Sequence, residues 1–160
     1  MNERTAAEVI AAHRLQPHPE GGYYREVHRS AATVGTPPGY PGTRVAMTAI
    51  LFLLPEEGWS AFHRVRSEEA WIHLEGAPLE LVLLGDAPSV HRLGRGAEGG
   101  EPLVVVPPGV LQAARPIGGW ALASCVVAPG FDFADFELPA REALLARFPT
   151  HREVILRFTR

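Results

Sequence analysis

His63, Glu69 and His73 fall within one short run, AFHRVRSEEAWIHLEG, residues 61–76. A histidine and a carboxylate can share a metal ion or a proton if the chain brings them to one face. WSAFHRV and EEAWIHL both read as short strands, and side chains alternate across a strand. His63 then shares a face with Val65, and Glu69 with Trp71 and His73. A turn at Arg66, Ser67 and Glu68 pairs the two strands as a hairpin, with Val65 opposite Glu69, His63 opposite Trp71 and Ala61 opposite His73. His63 becomes diagonal to Glu69, roughly 7 Å away at the backbone, so the two side chains can meet. His73 lies about 13 Å along the strand from Glu69, so it lines the same cavity without reaching the same ion. A carboxylate beside an imidazole orients it and favours its charged form, so His63 with Glu69 reads as a general-base pair. The alternative is a polar pair that only holds a ligand.

A second run, HPEGGYYRE (residues 18–26), is dense in functional groups. Glu20, Tyr23 and Arg25 sit beside glycines that permit close backbone approach. It reads as a pocket rim for a polar, anionic small molecule, with Arg25 clamping a carboxylate or phosphate. The alternative is a tight turn with a structural pair between Arg25 and Glu26 or a dimer mate. In PGFDFADFEL the three phenylalanines read as anchors for a C-terminal helix; Asp132 and Asp135 are candidate partners for a cavity histidine, with surface caps the favoured reading. His13, His18, His28, His91 and His151 lack paired ligand spacing and read as surface or hydrogen-bonded structural residues.

The elements that must position these groups are mostly strands. Thr5 to Leu15 reads as a helix, with Thr5 and Glu8 at capping-box spacing. QPHPEGG breaks it, and Tyr23 to Ser30 reads as a strand. From about Arg44 to Pro129 short apolar runs alternate with turn residues: RVAMTAILFLL, the two strands above, LELVLLG, SVHRLG, LVVVP, VLQAAR and GWALASCVVA. Short strands at this spacing predict a sandwich or small barrel. A C-terminal helical segment follows, with Pro139 in a first turn and Thr150 and Glu153 as a second capping box.

The chain has 160 residues, which predicts a single domain, and no linker divides it. A net charge of −3 with scattered arginines argues against nucleic acid as a partner. MNERTAAEVI carries charges and no long apolar stretch, so no signal peptide is expected. VAMTAILFLL is too short to span a bilayer as a helix, so no membrane association is expected. Cys125 is the one cysteine; it excludes an internal disulfide, fits a cytoplasmic setting and reads as an inert buried thiol.

His63, Val65, Glu69 and Gly76, followed by Pro107, Pro108, Gly109, Gln112 and Pro116, resemble the two motifs of the cupin superfamily. In that family, histidines stand where this chain has Val65 and Gln112, and an asparagine where it has Pro116. PHPEGGYYRE, SAFHRVRSEEAW, VVVPPGVLQAARP and APGFDFADFEL resemble more closely one largely uncharacterised cupin branch. That branch is similar to sugar-nucleotide epimerases of the dTDP-4-dehydrorhamnose 3,5-epimerase kind. It usually places histidine directly after tryptophan, whereas Ile72 here separates Trp71 from His73.

The resemblance implies an all-β-dominated fold, a single cupin antiparallel β-barrel (jelly roll) over residues 1–160, with a helix at about 5–15, the barrel at about 22–130 and a helical segment at about 139–158. It implies a homodimer, with the Tyr23 to Ser30 strand at the interface. Cupin metals are commonly held by three imidazoles and a carboxylate; His63, Glu69 and Gln112 are what this chain offers, so no required cofactor and at most a weakly bound divalent metal is expected. The implied function is binding, and epimerising or isomerising, a small polar metabolite such as a sugar derivative. His63, Glu69 and Tyr23 or Tyr24 would carry the proton transfers, and Glu20, Arg25, Trp71, His73 and Gln112 would bind substrate. The alternatives are a non-catalytic ligand-binding or sensor cupin and a metal-dependent oxygenase or isomerase.

Overall fold

The computed structural model describes residues 4–160; residues 1–3, the start of the stretch read as lacking a signal peptide, lie outside it. Helix α1 (Ala6–His13) begins at the expected capping box. The Thr5 side chain accepts from the Glu8 amide, and the Glu8 carboxylate accepts from the Thr5 amide at 2.7 Å. Thr5→Ala is expected to lower stability by about 1 kcal/mol in urea unfolding. An unchanged midpoint would show that the box contributes nothing.

Ten strands follow in chain order: β1 (Gln16–Pro17), β2 (Tyr23–Arg29), β3 (Thr48–Leu54), β4 (Ser60–His63), β5 (Glu68–Gly76), β6 (Leu79–Leu84), β7 (Pro88–Leu93), β8 (Leu103–Val106), β9 (Leu111–Pro116) and β10 (Ala121–Ala128). Helices α2 (Arg141–Arg147) and α3 (Arg152–Arg157) close the chain. The strands form two antiparallel sheets, ordered β1-β2-β3-β10-β5-β8 and β4-β9-β6-β7. No ladder joins the sheets among the described residues, so the expected barrel takes the form of two separate sheets.

Strand alternation explains three apolar layers. Phe52, Trp71 and Cys125 from the larger sheet meet Leu81, Leu83 and Ala114 from the smaller one in the central core. The alternate residues Phe62, Val82 and Ala113 of the smaller sheet pack on Leu144, Ile155 and Phe158 of the C-terminal segment. On the outer face of the larger sheet, Leu53, Leu122 and Tyr23 pack on Val9 of α1 and on Leu15.

The hairpin expected at residues 61–76 does not form. Strands β4 and β5 are consecutive in the chain but belong to different sheets. The backbone between them is already engaged: Arg64 exchanges both its hydrogen bonds with Glu137, and the Val65 carbonyl accepts from Gly109. His63 therefore lies opposite Gln112 on β9, and Glu69 lies between Val127 on β10 and Val106 on β8. The second capping box also fails. Thr150 sits inside a 3-10 turn (Pro149–His151), His151 takes the cap position of α3, and no side chain caps that helix. Pro139 precedes Ala140, the cap of α2, and so lies outside its first turn. Strand β2 is covered by β1 only at Tyr23 and Tyr24. No described helix is long and apolar enough to cross a membrane.

Candidate functional site

The glycines of HPEGG place an acid against a histidine. Gly21 has φ +110°, and a Cβ there would come within 2.2 Å of the Trp59 carbonyl oxygen. Only glycine lets this loop lie so close to the start of β4. The Ala61 amide then donates to the Glu20 carbonyl at 2.8 Å, and the Arg160 guanidinium donates to the same carbonyl at 2.9 Å. The Glu20 carboxyl is thereby set beside His63, with Oε2 3.0 Å from Nε2. The other ring nitrogen, Nδ1, lies 2.8 Å from the Ala61 carbonyl oxygen. A carbonyl only accepts, so Nδ1 carries a hydrogen.

Both partners are buried, His63 at 2% and Glu20 at 5% exposure. Burial lowers the His63 pKa, and burial together with the nearby Glu69 raises that of Glu20. Both shifts favour the uncharged forms, in which one proton lies between Glu20 Oε2 and His63 Nε2 with the carboxyl as its donor.

Glu69 enters the cavity from β5, in the opposite sheet. Its Oε2 accepts from Gln112 Nε2 at 2.6 Å, and Gln112 Oε1 accepts from the Trp71 indole at 2.6 Å. The indole can only donate, so it fixes the amide with its NH2 toward Glu69. Burial raises the Glu69 pKa to about 7.

These groups line a cavity of about 610 Å³, a volume suited to a small metabolite. His18 also lines it, its pKa lowered to about 4 by burial and by the neighbouring His63. Phe136 stacks on the His63 ring at 5.6 Å, and Phe131 and Phe133 extend the aromatic wall. A buried fork holds this segment: Arg44 donates to both oxygens of Asp135 at 2.7 and 2.9 Å, and Arg66 adds a bond at 3.3 Å. Arg44 holds the Asp135 carboxyl below its ordinary value.

The fold brings His63, Glu69 and Gln112 together, and Glu20 lines the same cavity; Arg25 borders it from the Tyr23 side of β2, where its Nε bonds the His13 carbonyl of α1. Gln112 stands behind Glu69, and Trp71 lies in the central core with its indole on Gln112. Tyr23 points to the outer face of the sheet, against α1. Its neighbour Tyr24 lines the cavity, because successive side chains on a strand point to opposite faces. His73 is away from the cavity, where its Nε2 meets the Ala77 carbonyl at 3.0 Å. Residues read from the sequence as structural prove to be cavity residues: His18, Phe131, Phe133 and Phe136. Asp135 is a buried ion-pair partner instead of a surface cap, whereas Asp132 does cap the short turn Phe133–Asp135.

A family model described as "Cupin superfamily (DUF985)" matches residues 7–139. This chain belongs to the cupin superfamily. A hypothetical protein from Leishmania major is 34% identical and superposes with a TM-score of 0.90, over 98% of this chain and 99% of that one. A protein from Shewanella oneidensis is 33% identical, also with a TM-score of 0.90, over 99% of each chain. Oxalate decarboxylase from Bacillus subtilis is 16% identical with a TM-score of 0.57, over 89% of this chain and 36% of that one, a likeness of fold alone. No curated protein matches the sequence.

Cupins commonly hold a metal, but the donors of this cupin do not fit one. Val65 offers no ligand atom. The Gln112 oxygen, its best donor to a cation, already accepts from Trp71. Both His63 ring nitrogens have protein partners, and no group of three or more His, Cys, Asp or Glu among the described residues is arranged around a common ion position. Protein purified without added metal is expected to carry much less than one equivalent of transition metal, and a chelator to leave its melting temperature unchanged. Stoichiometric iron or zinc surviving dialysis would contradict this reading of the donor set.

Proposed function

We propose that this cupin binds a small polar carbonyl metabolite, such as a sugar derivative, and moves a proton at the carbon beside the carbonyl, without a metal, as an epimerase or isomerase. The observation that carries the reading is the pairing of two proton carriers in one buried cavity. Glu69 ionises near neutrality, and the Glu20–His63 pair holds one proton without net charge. General acid–base catalysis needs such groups near the working pH.

Glu69 and His63 come from opposite sheets, which favours attack on a ligand from two sides. The Glu69 carboxylate takes the α-proton, and the electron pair of the broken C–H bond moves into an enolate. The Glu20 carboxyl gives up its hydrogen bond to His63 and donates that hydrogen to the enolate instead. In epimerisation it then delivers its proton to the opposite face of the carbon. Exchange with water restores both groups, so solvent hydrogen enters the product. The sequence resemblance to sugar-nucleotide epimerases supports the reaction class. The expected homodimer, through the open edge of β2, belongs to the same proposal.

Incubation with keto-sugar nucleotides in deuterium oxide tests it by mass spectrometry. Deuterium should appear at the carbon adjoining the carbonyl. Ligands that bind without taking up deuterium would favour the non-catalytic sensor.

A further inference from the structure

His18 stands beside the Glu20–His63 pair and takes no part in those proton transfers. Its Nδ1 lies 3.7 Å from Glu20 Oε2, the same oxygen that meets His63 Nε2 at 3.0 Å. The Glu20 amide donates to that Nδ1 at 3.2 Å. An amide N–H only donates, so Nδ1 is unprotonated, and in the neutral ring the hydrogen sits on Nε2. Burial, with His63 nearby, holds the ring neutral. His63 is the opposite tautomer, with its hydrogen on Nδ1.

The His18 side chain is 6% exposed. Tyr24, Phe52 and Phe136 pack edge-on against its ring, with centroids at 4.6, 5.8 and 6.0 Å. Its Nε2–H has no acceptor among the described residues. The nitrogen is not walled in either: the side-chain atoms sealed without a partner among the described residues are Trp59 Nε1 and Ser60 Oγ. The ring lines the cavity, so the cavity is where this donor opens. A hydrogen-bond donor held rigid by packing and left for a ligand to satisfy is a binding group.

Removing a proton beside a carbonyl puts negative charge on the carbonyl oxygen, and that charge needs fixed donors. Arg29, also on the cavity wall, is already committed, forking onto Glu26 at 2.7 and 2.8 Å. We infer that His18 Nε2–H is the hydrogen-bond donor to the ligand's carbonyl oxygen, polarising the carbonyl and holding the enolate that forms from it. This rests on the proton-transfer reading. His18 keeps its hydrogen throughout, because the N–H of a neutral imidazole is a very weak acid; it supplies a dipole while Glu69 and Glu20 move the protons. The ligand must then present an acceptor at this point, which a ketone does and an ammonium group does not.

Nitrogen NMR of the His18 ring tests the inference in the wild-type protein, with dihydroxyacetone as the carbonyl probe and glycerol as its carbonyl-free counterpart. Without a probe, Nε2 should carry the hydrogen and Nδ1 none. Dihydroxyacetone should move the Nε2–H signal saturably, and glycerol much less. In dihydroxyacetone labelled with carbon-13 at the carbonyl, the bound carbon should shift downfield in wild type and not in His18→Phe. That variant keeps an aromatic ring against Tyr24, Phe52 and Phe136 and removes the donor. It should lower deuterium uptake into keto-sugar nucleotides about a hundredfold, with KM changed far less. A hydrogen on Nδ1, or an Nε2–H signal unmoved by dihydroxyacetone or moved equally by glycerol, overturns the inference, and these wild-type measurements decide even if His18→Phe unfolds. Failure here and failure of the proton-transfer reading are separable. A carbonyl-responsive His18 without deuterium uptake keeps the donor and removes the catalysis; equal uptake by wild type and folded His18→Phe keeps the proton transfer and removes His18 from it.

Discussion

His63→Asn is expected to lower solvent-deuterium uptake into a bound keto-sugar by about a hundredfold or more, while the fold is kept. The asparagine amide can still donate to the Ala61 carbonyl, as Nδ1 does now. It removes the Nε2 that receives the Glu20 proton, so the carboxyl loses both its acceptor and its orientation. Substrate affinity should fall less than turnover, because proton transfer is felt in the transition state. His73→Asn is the control, since that ring bonds to Ala77 away from the cavity. Equal uptake by wild type and His63→Asn would remove His63 from the mechanism.

The second large effect is on stability against pH. Burial raises the Glu69 pKa from 4.5 to about 7 in the fold. Between those values the folded chain keeps a proton that the unfolded chain has released. The stability contributed by the neutral carboxyl is complete below about pH 4.5 and is lost as pH rises toward about 7. At about 1.4 kcal/mol per unit, the loss amounts to about 3 kcal/mol. His18 and His63 act in the opposite sense, because their pKa values are lowered from 6.5 to about 4; their contribution is present above about 6.5 and is lost as pH falls. Glu20, whose pKa burial also raises, acts in the same sense as Glu69, so the two acids offset the two histidines in weak acid; wild-type stability should be nearly level there and decline toward neutrality.

Glu69→Gln keeps an oxygen to accept from Gln112 and cannot ionise. Relative to wild type, it should gain about 3 kcal/mol in urea unfolding between about pH 4.5 and pH 8. It should also abolish deuterium uptake, since an amide is no base. A constant difference from wild type across that range would mean that Glu69 is already ionised in acid.

Much of the scaffold was legible in the sequence. The capping box at Thr5 and Glu8 formed, because it depends only on residues within one turn. The strands from Thr48 to Ala128 lie where apolar runs met turn residues, because alternation and punctuation are local signals. Pairing is not local. Strands β4 and β5 were adjacent in the chain and looked like a hairpin, yet backbone bonds to Glu137 and Gly109 turn them into opposite sheets.

The site divides along the same line. His63, Glu69 and Gln112 could be found because two short motifs carry them. The partner of His63 could not, because Glu20 lies outside both motifs and reaches it only through the strained turn at Gly21. The available signal was the run HPEGG itself: two titratable residues immediately before paired glycines, which often mark a backbone pressed against another element. Phe131, Phe133 and Phe136 looked like helix anchors because aromatics usually pack in cores. Their cavity role depends on the Arg44–Asp135 fork, whose partners are far apart in sequence.

Nitrogen NMR of the His63 ring tests the central claim most directly, because the account requires one proton shared by an uncharged pair. From about pH 6 to about pH 8, His63 should be a neutral imidazole, protonated at Nδ1 and hydrogen-bonded but unprotonated at Nε2. Glu20→Gln should alter the Nε2 signal and leave the Nδ1 signal in place. A ring protonated on both nitrogens across that range would mean that Glu20 is a carboxylate in an ion pair, and would contradict the account.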